Sequence, residues 1–188
     1  MNAKDSYTLK VAGLVRKLPL CPLPNGNQIA AFILFNDVEL TVASAKELLK
    51  EAPEFDLIIT AESKGIPLAY EMSRQSGKPY LVARKGPKLY MKNIKQVDVD
   101  SITTENKKIL CLGESDAELI KKKKILLVDD VISTGESIHA LESLIEMIGG
   151  KVAGRMAVLG EGDAMQRDDI IVLEDLPIFN SNGDIIVE

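Results

Sequence analysis

Two adjacent aspartates follow an apolar stretch in ILLVDDVISTGES, residues 125–137. If the apolar stretch is a buried strand that leads into a helix, Asp129 and Asp130 lie at the carboxyl end of that strand, where ligands collect in open α/β sheets. The residues after the pair offer open backbone N–H groups, hydroxyl donors and a close backbone approach to a phosphate. These candidate phosphate ligands are Ser133, Thr134, Gly135, Glu136 and Ser137.

The chemistry of this stretch favours a sugar phosphate over a nucleoside triphosphate. A triphosphate-binding loop places lysine directly before serine or threonine, whereas Gly135 is followed here by Glu136. Carboxylates accept hydrogen bonds from hydroxyl groups without competing for a phosphate. Paired carboxylates beside a phosphate cradle therefore predict a ligand with a phosphate and a vicinal diol, and ribose 5-phosphate has both.

Short apolar runs alternate with amphipathic stretches from about residue 56, a pattern typical of βαβ units and a parallel sheet. Apolar residues at three- and four-residue spacings predict a helix over 136–148, which Gly149 and Gly150 end. Another helix is predicted at about 43–52, and further strands at 152–159 and 170–173. The pattern indicates an α/β fold but leaves the strand order open.

The stretch 125–137 resembles the motif with which type I phosphoribosyltransferases bind phosphoribosyl pyrophosphate (PRPP). Its usual form is an apolar run, two acidic residues and a small-residue Thr-Gly loop, and Glu136 replaces the second glycine common in the family. The resemblance implies that Asp129 and Asp130 hold the ribose hydroxyls while 133–137 surround the 5-phosphate. It also implies Mg2+ as cofactor, held mainly by PRPP, with Asp129 or Asp130 touching it through water and no direct protein ligand.

Two further segments resemble parts of the same family. Both carry cationic residues, which are needed because negative charge grows on the departing pyrophosphate. A second junction of strand and helix, AESKG, resembles the family's pyrophosphate loop and contributes Glu62, Ser63, Lys64 and Gly65. The stretch VARKGPKLYMK resembles the Arg-Lys-x-x-Lys-Leu sequence of adenine phosphoribosyltransferases and contributes Arg84, Lys85 and Lys88. In that family the arginine often reaches pyrophosphate across a dimer interface, so the resemblance implies a homodimer.

The polar segment 86–107 is predicted to be a mobile catalytic loop. Within it, Ser101 and Glu105 resemble the loop signature of adenine phosphoribosyltransferases, in which the glutamate is an acid/base near the purine. Ile102 replaces the tyrosine common there, and the Ser-Ile-Thr start is similar to xanthine phosphoribosyltransferases. Residues 1–50 are expected to form a small hood over the base, within one domain spanning 1–188. Phe179 is expected to be buried rather than stacked on a purine.

Composition limits the other functions. The chain has 188 residues, 46% hydrophobic and 27% charged, and a net charge of -5, which argue for one globular domain and against general binding of nucleic acid. No apolar run is long enough to span a membrane or form a signal peptide, so a cytoplasmic location is expected. Cys21 and Cys111 lack the spacing of a metal or redox pair and are interpreted as buried thiols in a reducing compartment.

Several alternatives stay open at this stage. An acidic pair after a strand also occurs in phosphoacceptor receiver domains, although there it lies near the start of a shorter chain. The resemblance favours transfer of a phosphoribosyl group to adenine in purine salvage, with xanthine or hypoxanthine/guanine as alternative bases. A regulatory protein that senses PRPP without catalysis is the alternative of another class.

Overall fold

The computed structural model describes residues 4–99 and 108–186. Within them, the strands are β1 Ser6–Val11, β2 Leu14–Pro22, β3 Gln28–Ala30, β4 Leu57–Ala61, β5 Tyr80–Ala83, β6 Lys95–Val99, β7 Lys108–Leu112, β8 Lys124–Ile132, β9 Lys151–Glu161, β10 Ile171–Leu176 and β11 Ile178–Phe179. The helices are α1 Val38–Glu51, α2 Ile66–Ser76, α3 Glu114–Ile120 and α4 Glu136–Ile148, with a 3-10 turn at Gly162–Gln166. None of the helices in these two ranges is both long and apolar enough to cross a membrane.

The centre of the molecule is a five-stranded sheet in the order β10-β9-β8-β4-β5, with every pair of neighbours parallel. Alternate side chains of β8 enter two separate cores. Leu126 and Val128 pack in the layer of α1 and α2, whereas Ile125 and Leu127 pack in the layer of α4. Both faces of the sheet are thus covered by helices, and the α/β class predicted from the alternating pattern is confirmed.

The helix predicted over 136–148 is α4, which occupies the same residues. The other predicted helix begins earlier than its pattern indicated, at Val38 rather than at about residue 43. Asp37 explains the earlier start, because its Oδ1 accepts a hydrogen bond of 3.1 Å from the backbone N–H of Leu40. This N-cap satisfies a first-turn donor that would otherwise lack a partner.

Strands β1, β2, β3 and β11 form a separate antiparallel sheet in that order, which we call the hood. The N-terminal segment contributes three of its four strands, within residues 6–30, and the C-terminal region contributes the fourth. Helix α1, although part of the first 51 residues, packs against α2 and the parallel sheet instead. Phe179 is buried in the core with its ring centroid 5.2 Å from that of Tyr7, as expected.

The segment 86–107 is not a loop throughout. Its residues 95–99 form β6, which pairs antiparallel with β7, and Val99 and Leu110 bury their side chains on the α4 side of the sheet. The weak alternation of KQVDV hid this strand, because most of its side chains are exposed. Residues 100–107, which include Glu105, lie outside the part that the structure describes.

Candidate active site

Four neighbouring strands of the parallel sheet carry the candidate residues at their carboxyl ends. Residues 62–65 follow β4, residues 84–88 follow β5, the acidic pair lies in the last four residues of β8, and Glu161 ends β9. Since the strand order is β9-β8-β4-β5, these segments meet along one edge of the sheet. The parallel topology thus gathers residues that are up to 99 positions apart in the sequence, which is where ligands bind in such sheets.

A small cavity of about 80 Å3 lies between the end of β8 and the start of α4, lined by Asp129 and residues 131–138. Gly135 has a φ of 79°, which a glycine adopts without the steric cost of a side chain. Helix α4 begins at Glu136, so its first-turn N–H groups face the cavity without a capping side chain. Ser133, Thr134 and Ser137 are exposed around it. The arrangement fits a single phosphate group.

One buried oxygen of the acidic pair lacks a donor in the described structure. Asp130 is only 4% exposed, and its Oδ2 has no hydrogen-bond partner among the described residues. Asp129 Oδ1 accepts a hydrogen bond of 2.9 Å from the backbone N–H of Asp130. Burial raises the pKa of both carboxyl groups, and the neighbouring charge of Asp130 raises that of Asp129 further, while the Lys64 ammonium acts in the opposite direction. Hydroxyl donors from a ligand would relieve this deficit.

Gly65 brings the loop 62–65 against the acidic pair. A Cβ atom at this position would overlap Thr60 Oγ1 and would lie 2.8 Å from Asp129 Oδ1. Only a residue without a side chain allows this approach, and it leaves Lys64 and Ser63 exposed at the edge of the site. The peptide bond between Glu62 and Ser63 is cis.

Glu62 links this loop to the basic segment after β5. Its Oε1 accepts a hydrogen bond of 3.3 Å from Arg84 Nη1, and its Oε2 accepts one of 3.0 Å from the backbone N–H of Lys85. Lys88 Nζ lies 3.8 Å from the same carboxylate. The N–H of Lys85 lowers the pKa of Glu62 most, although its partial burial opposes that effect, and the charges of Lys88 and Arg84 lower it further. The carboxylate thus holds three cationic residues beside Lys64.

A larger cavity of about 290 Å3 opens between the hood and the sheet edge. From the sheet side it is lined by Lys64, Asp130, Ser133 and Glu161. From the hood side it is lined by Cys21 and residues 29–33. It adjoins the small phosphate cavity through Val131 and Ser133, which line both. A ligand can therefore extend from the phosphate loop, past the acidic pair, to the underside of the hood.

Two charged residues of this region carried no signal in the sequence. Glu161 follows an apolar strand as a single carboxylate, and Arg167 lies in a short polar turn without a recognisable motif. Arg167 donates from Nε and Nη2 to Asp169, with both distances 2.8 Å. Its Nη1 lies 2.7 Å from the position that a Cβ of Gly135 would take. Tertiary structure alone brings this guanidinium against the phosphate loop.

The structure thus brings together the predicted residues of the three described segments, and Glu105 lies outside the described part. His139, the chain's single histidine, is exposed on α4, and its ring Nδ1 lies 3.1 Å from Glu142 Oε2. Cys111 is buried as expected, whereas Cys21 is half-buried at the wall of the larger cavity. Among the described residues, no three His, Cys, Asp or Glu side chains cluster as a metal site.

Comparison with known proteins identifies related chains and a shared fold. The hypoxanthine/guanine phosphoribosyltransferase of Methanosarcina mazei is 35% identical over 57% of this chain, a match that spans 53% of that relative. The adenine phosphoribosyltransferase of Kosmotoga olearia is 28% identical over 85% of this chain and 87% of its own length. The crystal structure of adenine phosphoribosyltransferase from Thermoanaerobacter pseudethanolicus shares the fold, with a TM-score of 0.70 at 22% identity over 84% of this chain and 95% of its own.

The family model of the phosphoribosyl transferase domain matches residues 39–180, which include all five strands of the parallel sheet and every described candidate residue from Glu62 to Ser137. The hood strands β1 to β3 lie before this match. Because the match spans well over half of the chain, the protein belongs to the phosphoribosyl transferase domain family.

Proposed function

We propose that this protein transfers the 5-phosphoribosyl group of PRPP to a purine base, with adenine as the preferred base, in purine salvage. The bond between ribose C1 and the pyrophosphate oxygen breaks, and a bond from C1 to a purine nitrogen forms with loss of the proton on that nitrogen. The observation that carries the proposal is the position of the acidic pair between a phosphate cavity and a cluster of cationic residues.

Asp129 and Asp130 accept hydrogen bonds from the ribose hydroxyls in this proposal. Support comes from the unpartnered Oδ2 of Asp130, since a buried acceptor without a donor costs free energy that a ligand hydroxyl can restore. The 5-phosphate occupies the small cavity, where it meets the hydroxyls of residues 133–137 and the N-terminus of α4. The cavity volume of about 80 Å3 suits one phosphate and no larger group.

Pyrophosphate binds to the loop 62–65 and the basic segment after it. Lys64, Arg84, Lys85 and Lys88 supply the positive charge that stabilises the leaving group. Glu62 acts indirectly, because a carboxylate cannot donate to pyrophosphate and its oxygens already accept from the backbone of Lys85 and the side chain of Arg84. It keeps the two loops together before the substrate arrives.

The base enters beneath the hood, in the cavity of about 290 Å3. We assign Glu105 as the acid/base for the purine on the strength of the Ser-x-x-x-Glu pattern alone. In this proposal the mobile catalytic loop is the part of 86–107 that connects β6 to β7 and carries Glu105, since residues 95–99 form a strand. Closure of this loop over C1 would keep water from capturing an oxocarbenium-like centre.

Mg2+ fits the site as a partner of the substrate. Magnesium usually keeps several waters and binds one or two carboxylates together with substrate phosphates. Asp130 offers one buried oxygen without a partner in the described structure, and Asp129 stands beside it, but no third carboxylate completes a protein cage there. Mg2+ would therefore arrive with PRPP, contact the aspartates through water and neutralise charge on pyrophosphate.

The choice of adenine depends on the Arg-Lys-x-x-Lys-Leu and Ser-x-x-x-Glu patterns and on the relatives. The Kosmotoga relative named adenine phosphoribosyltransferase spans most of this chain, which favours adenine. The Methanosarcina relatives named hypoxanthine/guanine phosphoribosyltransferase support the alternative bases. The match spans only 53% of the Methanosarcina mazei relative, so that relative supports the proposed base less than the Kosmotoga relative does.

We also propose a cytoplasmic homodimer. Phe35, Val38, Val42 and Tyr70 expose apolar side chains at α1, α2 and the loop before α1, where they line a cavity of about 420 Å3. Val38 is 73% exposed, and a contiguous patch of exposed apolar side chains of this kind marks a surface for contact with another protein. Light scattering should give twice the chain mass, and Val38→Glu should shift the mass toward the monomer.

Pyrophosphate release from PRPP and Mg2+ tests the proposed activity. Adenine, hypoxanthine, guanine, xanthine, orotate and uracil are supplied separately, with a control that lacks any base. Release with adenine above the other bases supports the proposal. Release only with a 6-oxopurine corrects the base. PRPP binding in calorimetry without release by any base would replace the enzyme by the PRPP-sensing alternative.

A further inference from the structure

Glu161 is a carboxylate in the larger cavity that the proposed reaction has not used. It ends β9, is half-buried and lines the cavity together with Lys64, Asp130 and hood residues 29–33. Within residues 4–99 and 108–186 no donor makes a hydrogen bond to its side chain, whereas most other carboxylates near the site have a donor. A half-buried carboxylate without a donor is a candidate for contact with a ligand.

The order of the strands separates Glu161 from the pyrophosphate loop. Strand β8, with the acidic pair, lies between β4, which the loop 62–65 follows, and β9, which Glu161 ends. The register places Asp129 beside Ala157 and Ile132 beside Gly160, so Glu161 projects from the same edge of the sheet as the pair. If the ribose sits on the acidic pair, pyrophosphate and Glu161 lie on opposite sides of it.

The chemistry of substitution assigns the Glu161 side to the base. A nucleophile that displaces a leaving group with inversion enters the face of C1 opposite the departing bond. Pyrophosphate leaves on the β4 side, so the purine approaches from the β9 side. Of the charged residues that line the cavity, Lys64 follows β4 and Asp130 lies on β8, so Glu161 is the one on the β9 side.

We propose that Glu161 is a specificity-determining residue whose carboxyl oxygen accepts a hydrogen bond from the exocyclic amino group of the purine. The inference depends on the proposed function, and it deepens it by choosing between a 6-amino and a 6-oxo base. Adenine presents an N–H donor at position 6, while hypoxanthine presents a carbonyl acceptor at the same position. If the carbonyl of hypoxanthine faces the carboxylate oxygen, both acceptors stay unpaired in a buried site. A site of this kind strongly rejects the base that lacks the donor.

The charged groups that face Glu161 do not remove this preference. Burial raises its pKa, and the Lys64 ammonium, on the loop after β4, lowers it. Asp130, on β8, is the other titratable side chain that lines the cavity, and it already lacks a donor. In its charged form the carboxyl only accepts hydrogen bonds, so the preference for an amino group belongs to the carboxylate, which the Lys64 ammonium favours. Cys21, at the hood wall, adds only a weak donor.

The test compares adenine with hypoxanthine in the wild type and in Glu161→Gln. Glutamine keeps the shape of glutamate and one acceptor oxygen. It also adds an N–H group that can donate a hydrogen bond to a 6-oxo group. The ratio of kcat/KM for adenine to kcat/KM for hypoxanthine should fall about tenfold or more, which is the range for a hydrogen bond to a charged group. Affinity for AMP relative to IMP, measured by calorimetry on the free enzyme, should fall in the same direction.

Asp163→Asn is the matched control, because Asp163 is exposed two residues further along and outside the cavity lining. It should leave the ratio unchanged, and PRPP affinity should stay within about twofold of the wild type in both variants. An unchanged ratio in Glu161→Gln, with PRPP affinity intact, would overturn the inference while leaving the proposed function standing. Equal loss of PRPP and AMP affinity in that variant would overturn it too, since Glu161 would then belong to the PRPP site. A wild type that uses no purine would remove both.

Discussion

Replacement of Gly65 by alanine tests whether the pyrophosphate loop must touch the acidic pair. The new Cβ would overlap Thr60 Oγ1, a fully buried side chain, and would lie 2.8 Å from Asp129 Oδ1 and 3.1 Å from Asp129 Cα. The Cα belongs to a central strand with neighbours on both sides and cannot move far. An ordinary contact begins at 3.4 Å, so the loop must retreat by several tenths of an ångström.

The expected cost follows from that retreat. Overpacking of a well-packed site costs about 1–3 kcal/mol of stability. Misplacement of Lys64 should weaken one charge-assisted hydrogen bond to pyrophosphate, a loss of about 10- to 100-fold in affinity. Urea unfolding measures the first effect and calorimetry with pyrophosphate the second. Affinity for AMP should fall less, because the phosphate loop lies on the other side of Asp129.

Gly86→Ala is the matched control for this experiment. Gly86 lies in the basic segment after the neighbouring strand, and a Cβ there would meet nothing within 4 Å. The same methyl group should therefore change stability by no more than about 0.5 kcal/mol. If Gly65→Ala matched Gly86→Ala in both stability and pyrophosphate affinity, the close approach of the loop to Asp129 would be refuted as a requirement of the site.

Three further changes separate the remaining roles. The variant with Asp129→Asn and Asp130→Asn should bind PRPP far more weakly, yet without ligand it should unfold at a higher urea concentration than the wild type. Burial raises the pKa of both carboxyl groups, so the charged pair destabilises the fold above the pKa of unfolded aspartate. The difference in unfolding free energy between the variant and the wild type should therefore shrink as the pH falls toward about 4. Arg167→Ala should raise the KM for PRPP by about fivefold or more, since a guanidinium beside the phosphate loop adds favourable charge. In calorimetry the affinity for AMP should fall while the affinity for pyrophosphate stays the same, and an equal loss of affinity for both ligands would contradict this role. Glu105→Ala should leave PRPP affinity nearly intact and slow turnover by about 100-fold or more in the pyrophosphate assay, as for a general acid or base; a matching loss of PRPP affinity would remove that role.

The sequence carries the site's local pieces because each piece is a strand end followed by a loop. The acidic pair and the phosphate loop are contiguous, so their residue types and spacing reflect one local geometry in β8 and α4. The same holds for the residues from Glu62 to Gly65 after β4. Short contiguous segments of this kind are predictable, since the strand pattern and the loop composition point to the same place.

The remaining features depend on contacts between distant segments. Arg167 reaches Gly135 across 32 positions, and Glu62 meets the basic residues 22 or more positions away, so no local pattern records either pairing. The hood takes its fourth strand from residues 178–179, a two-residue strand too short for a periodicity to detect. Strand β6 was missed for a related reason, because its exposed residues give no clear alternation.

The sheet order explains why a site with paired buried carboxylates can persist in this fold. Asp130 Oδ2 lacks a donor in the described structure, and such a buried acceptor destabilises the empty protein. The fully buried side chains of Leu126, Leu127 and Val128 in β8 pack in the cores on both faces of the sheet, and their burial can offset that cost. A ligand that supplies hydroxyl donors would then gain the free energy that the empty site lacks. The buried part of β8 thus holds the aspartates in place, and the unpartnered oxygen of Asp130 at its end favours the binding of a ribose hydroxyl.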